Sequence, residues 1–185
     1  MKVKFLIVVF CVMPNLLRAQ TFCERLYYGG NFGLALGDFT DIELSPHVGY
    51  YITTRWAAGV GASYEYFNRK IYFLSGGYSR YETHIYGGRL FTEYVLVNNV
   101  NDFIPLGLNF RILAHVEYEA LSYEKSFFGE TEPGRKIVNS ILLGGGLRFP
   151  TGRRSSMNLL LMWKLNSDYY DVYGYGPIIR IGYNF

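Results

Sequence analysis

Cysteine, proline and histidine are all scarce in this sequence, at two, six and three residues in 185. Cys11 lies within an apolar N-terminal run, which leaves Cys23 without an intramolecular partner once that run is removed, so a disulfide framework is excluded. Cys23 does not follow the small-residue pattern of a lipid-attachment signal and reads as an unpaired thiol near the mature N-terminus. His47, His84 and His115 have no spacing to each other or to cysteine that suits zinc. No metal and no cofactor is expected.

Long apolar runs are missing beyond residue 20, although half of the residues are apolar. Phe5 to Met13 is nine residues long, against about 20 for a spanning helix. With Lys2 and Lys4 before it and Ala19 after it, residues 1–19 read as a secretory signal peptide cleaved after Ala19. Residues 20–185 then form one domain. A basic excess also disappears with the signal, since losing Lys2, Lys4 and Arg18 leaves 18 − 3 = 15 basic residues against 15 acidic ones. Without net charge or a basic cluster, a nucleic-acid partner is excluded.

What the sequence does contain is 18 Tyr, 14 Phe and 21 Gly, a composition suited to twisted strands and interfacial aromatic girdles. Its apolar residues alternate. Ile179, Ile181, Tyr183 and Phe185 share one face of the last segment, opposite Arg180, Gly182 and Asn184. Met157, Leu159, Leu161, Trp163 and Leu165 repeat the pattern. The same rhythm runs through 26–37, 56–66 and 109–121, and less regularly through 41–51, 82–96 and 136–149. Period-two segments of about ten residues are what a strand needs when one face meets hydrocarbon and the other a barrel interior. Eight such segments predict an all-β chain, an eight-stranded antiparallel transmembrane barrel with up-and-down meander order. Pro46 lacks a ladder donor and predicts a bulge in the second strand. Gly29, Gly33 and Gly37 fall on one strand face and predict a slender interior wall.

The connections at 67–80, 122–135 and 166–176 are long and aromatic, whereas 52–55 and 150–155 are short, which places the long set on the outside; 97–108, on the inner side, and 38–40, on the outer, are exceptions in length. Tyr72, Tyr78, Tyr123, Phe127, Tyr170 and Tyr173 are the outer-loop aromatics, suited to an interfacial belt or to binding an extracellular protein or glycan.

An eight-stranded barrel is just wide enough for side chains to fill, so a wide pore is excluded. Arg89, Glu93, Arg111, His115, Glu117, Glu119, Lys164 and Arg180 are assigned to a paired lumenal network, because a charge on the lipid face costs about 2 to 4 kcal/mol at the midplane. Glu43, Ser45 and His47 share a strand face and are the candidate set for acyl-transfer catalysis. An inward polar stripe is the simpler reading of the same three residues.

The closing Ile179, Ile181, Tyr183 and Phe185 resemble the terminal strand of Gram-negative outer-membrane proteins. That resemblance implies recognition by the barrel-assembly machinery, although Arg180 stands where the extended signal has glycine. With its opening Tyr27 to Gly33, the mature region is similar to small barrels of the OmpA/OmpX-like superfamily. The resemblance implies a monomer in the bacterial outer membrane, in contact with membrane lipids and lipopolysaccharide. The expected role is structural or a surface interaction through the outer loops, without catalysis. The alternatives are a narrow channel for ions or small solutes and, since some such barrels are lipid A deacylases or palmitoyl transferases, a lipid A-modifying enzyme.

Overall fold

Eight strands follow one another around a closed antiparallel barrel in the computed structural model, each hydrogen-bonded to its neighbours in sequence and the last to the first. Residues 22–36, 39–72, 78–105, 107–129, 131–166 and 177–185 are described. The strands are β1 (Leu26–Leu36), β2 (Phe39–Tyr51), β3 (Trp56–Tyr72), β4 (Tyr78–Val97), β5 (Arg111–Glu124), β6 (Arg135–Pro150), β7 (Ser156–Lys164) and β8 (Ile178–Asn184). The proposed signal segment, the connection 167–176 with Tyr170 and Tyr173, and Phe73 lie outside the described residues, as do the side chains of Tyr72 and Tyr78.

Alternation sorts the side chains as its period requires. Tyr28, Phe32, Leu44, Val60, Leu90, Leu159, Ile179 and Ile181 point outward and are exposed, while Tyr27, Asn31, Ser45, Arg89, Leu113, Glu117 and Asn158 are buried inside. The exposed apolar belt is edged by aromatic residues: Tyr28, Trp56, Tyr94 and Tyr183 toward the near end, which carries both described termini, and Tyr64, Tyr86, Tyr118 and Trp163 toward the far end. Trp56 and Tyr64, eight residues apart on β3, are separated by about 26 Å along the strand and about 20 Å of height at the usual tilt.

Pro46 produces no bulge. Its register with β1 runs unbroken through Gly30, and the β2–β3 ladder omits only Ser45 and Pro46 before resuming at His47 opposite Gly61, unshifted. A missing donor interrupts hydrogen bonding without inserting a residue. The register shift falls instead between Val95 and Val97, where β4 meets β5 at the near end. The 67–80 and 122–135 segments are also shorter loops than their composition predicts. β3 and β4 pair as far as Tyr72 opposite Tyr78, and β5 and β6 as far as Glu124 opposite Arg135.

The seam is closed by the last residues of the chain. Gly29 to Phe32 pair with Asn184 to Ile181, and Tyr28 and Phe185 exchange backbone hydrogen bonds of 3.0 and 2.8 Å.

Candidate functional site

Glycine on the interior wall makes room for large lumenal side chains. A Cβ at Gly49 would overlap the Tyr27 ring, and one at Gly59 would overlap Phe91. Tyr27, Ala57 and Phe91, with Tyr51 against them, form an apolar layer toward the near end. Ile85, Leu121, Tyr123 and Val138, covered by Phe67, Phe127 and Phe128, form another toward the far end. Leu113, Leu142, Leu160 and Met162 pack on one side. Charged residues occupy the space between.

β2, β4, β5, β6 and β8 bring those charges together. Arg180 donates through Nη1 to Glu117 and through Nη2 to Glu119, both at 2.5 Å, and its Nε lies 3.4 Å from Glu43. Arg89 lies 3.5 Å from Glu117 and donates to the Ser45 carbonyl at 2.7 Å, beside the pairs that Pro46 removes from the ladder. With its amide oxygen turned toward Arg89, Asn31 accepts from both guanidinium Nη atoms at 3.0 Å. Arg148 donates to Glu93 at 2.5 Å and to Asn158 at 2.8 Å. His115 sits between two carboxylates, 3.0 Å from Glu117 and 3.4 Å from Glu93. Three guanidiniums and one imidazole thus face four carboxylates, and Arg89, Glu93, His115, Glu117, Glu119, Arg148 and Arg180 are each at most 5% exposed. The cavity left among Asn31, His47, Arg89, His115 and Glu117 is about 10 Å³, room for no more than about one water.

Of the residues assigned to the lumen from sequence, Arg89, Glu93, His115, Glu117, Glu119 and Arg180 therefore meet. Arg111 does not join them. It opens β5 at the near end, half-buried. Lys164 closes β7 toward the far end, also half-buried. Arg148 is the residue the sequence reading missed, because Gly144, Gly145 and Gly146 blur the phase of β6. The rule that placed Arg89 inward, that a charge avoids the lipid face, would have found it.

Glu43, Ser45 and His47 do not assemble into a triad, because the Ser45 hydroxyl and the His47 imidazole have different partners. Ser45 donates to Glu43 at 2.8 Å and accepts from the Ser63 hydroxyl at 3.3 Å, while His47 bonds Asn184 at 3.0 Å. Ser45 is fully buried. Glu43 serves Arg180 instead. Among the outer-loop aromatics, Tyr123 belongs to the lumen. It is 1% exposed within β5, and Phe127 and Phe128 fold back on it with ring centroids 5.3 and 5.7 Å away. The hairpin carries strand pairing past Tyr123, so the alternation still turns it inward. Ile179, Ile181, Tyr183 and Phe185 all face outward on the last strand.

No protein-family model and no curated protein matches this chain. Among solved structures, it is similar to the crystal structure of the N-terminal β-barrel domain of Pseudomonas aeruginosa OprF. The TM-score is 0.55 at 11% identity, over 87% of this chain and 96% of the other. The chain has the fold of that barrel domain. At so low an identity the likeness to OprF carries the architecture and not the residues of the lumen.

Proposed function

We propose that this chain is an outer-membrane barrel that serves a structural or cell-surface interaction role through its far-end hairpins, its lumen being closed to solute flow. The observation that carries this reading is the opposition of its two faces. An apolar belt edged by Tyr and Trp suits hydrocarbon and its interfaces outside, while the ion-pair network inside encloses a cavity of about 10 Å³ among its described side chains. A protein that put these outward residues in water would expose an apolar patch far larger than soluble proteins carry.

The near end carries the compact turns 52–55 and 151–155 beside the longer 98–110 connection and faces the periplasm, and the far-end hairpins face the medium. The β5–β6 hairpin is the best-described of these. Its base is held by Phe127, Phe128 and Tyr123, and residues 131–134 are exposed at its tip. An epitope tag placed after Glu132 should be reached by antibody on intact cells. A tag that became accessible only after the outer membrane was broken would refute this orientation. Replacing 131–133 by a short Gly-Ser linker should abolish surface binding of a protein or glycan while heat-dependent gel mobility stays unchanged.

A further inference from the structure

The near-end mouth carries a feature that neither a structural role nor surface binding explains. Between the helical turn at residues 22–25 and the β6–β7 turn lies a cavity of about 450 Å³, within the range that holds small ligands. Arg111, Arg148, Arg153 and Arg154 line it, with Glu24 as the carboxylate on its wall. Arg148 is committed to Glu93 and Asn158, but Arg111, Arg153 and Arg154 have no ion pair or side-chain hydrogen bond among the described residues. The turn that carries two of them does not depend on their charges. It is closed by Thr151 and Gly152 donating to the Ser155 carbonyl at 3.0 and 3.3 Å.

Tyr27, on the inner wall of the same cavity, is 5% exposed and turns its hydroxyl toward the buried Glu93 carboxylate, so the donors left for a ligand are the guanidiniums. We infer that this cavity is a binding site for a phosphate group, held by Arg111, Arg153 and Arg154. Guanidinium forks match phosphate oxygens in shape and charge.

The outer lip suggests where the phosphate comes from. Tyr28 and Phe185 line the cavity and are 51% and 64% exposed on the belt side of the barrel, so an acyl chain could run from the site down the apolar face. The phosphate site stands on the cavity alone; only its lipid source rests on the membrane reading above.

The barrel refolded in non-ionic detergent and titrated with phosphatidylglycerol, phosphatidylcholine or inorganic phosphate, with adducts counted by native mass spectrometry, tests this. One phosphatidylglycerol should be retained per barrel in preference to phosphatidylcholine. Binding should weaken about tenfold or more in R153Q/R154Q, since a hydrogen bond to a charged group typically supplies a decade of affinity or more. Arg111→Gln, on the β5 side of the cavity, should weaken it as well. Inorganic phosphate bound with the same dependence on the variants, without preference for phosphatidylglycerol over phosphatidylcholine, would support the site and assign it to a soluble anion. Retention unchanged in both variants, or no retention of either ligand, would overturn the proposal. The heat-dependent gel shift of each variant reports the barrel separately, so a failure of the fold is not mistaken for a failure of the site.

Discussion

At the scale of the residue, the lumen is built so that removal of one charge strands others. Glu117 is the clearest case, because Arg180, Arg89 and His115 all approach it within 3.5 Å. Glu117→Gln should destabilise the barrel by about 3 to 5 kcal/mol, the usual cost of breaking a buried pair. Glu132→Gln removes only an exposed partner of Lys125 and should change stability by less than about 0.5 kcal/mol. Urea unfolding followed by tryptophan fluorescence separates the two, and equal effects would mean that the lumen is wet. Glycine gives a second contrast. A methyl at Gly59 would meet the Phe91 ring and the Val48 carbonyl, so Gly59→Ala should cost about 1 to 3 kcal/mol. At Gly88 the nearest atom lies at 3.6 Å, and Gly88→Ala should be neutral or stabilising by up to about 1 kcal/mol.

At the scale of the element, period-two alternation made the eight strands legible, because lipid outside and packed side chains inside impose opposite chemistry on successive residues. Where that contrast weakens, so does the reading. Three glycines hid the phase of β6 and with it Arg148, and β3 and β4 run past the spanning width into a hairpin whose length composition cannot report. Tyr123 was misplaced for the same reason: a strand extended beyond the expected membrane edge still turns alternate residues inward. The pairing of Arg180 with Glu117 and Glu119 depends on which strands close the ring, information that no local pattern contains. The last strand joins both levels. Phe185 is exposed, but its backbone exchanges two hydrogen bonds with Tyr28 at the seam. Deleting Phe185 should therefore lower the stability of refolded barrel by about 1 to 3 kcal/mol, whereas Phe185→Ala should leave it nearly unchanged. If the side chain is also an assembly signal, both variants should accumulate poorly in the outer membrane of cells. Normal accumulation of Phe185→Ala would confine the residue to seam closure.

At the scale of the whole molecule, closure of the ring and closure of the lumen are separate matters, and the second decides whether solutes pass. Water or an ion entering from the near end meets Arg148 at the inner wall of the mouth beside the layer of Tyr27, Ala57 and Phe91, then the rest of the charged cluster, then the layer of Ile85, Leu121, Tyr123 and Val138. Each apolar layer excludes water from the charges, and this strengthens the pairs that hold the strands in place. The charges of the cluster are largely matched, since its guanidiniums are already engaged by carboxylates at 2.5 to 3.5 Å. Purified barrel in planar bilayers should accordingly be silent, and Arg111→Ala, which touches the mouth alone, should be silent too. Tyr123→Ala removes the largest far-end plug but leaves the ion pairs, so it should lower stability by about 3 to 5 kcal/mol without opening a path. Discrete conductance steps in the wild-type protein, altered by Glu117→Ala and not by Arg111→Ala, would show instead that the ion pairs part often enough to carry current, and the closed-barrel reading would have to be abandoned.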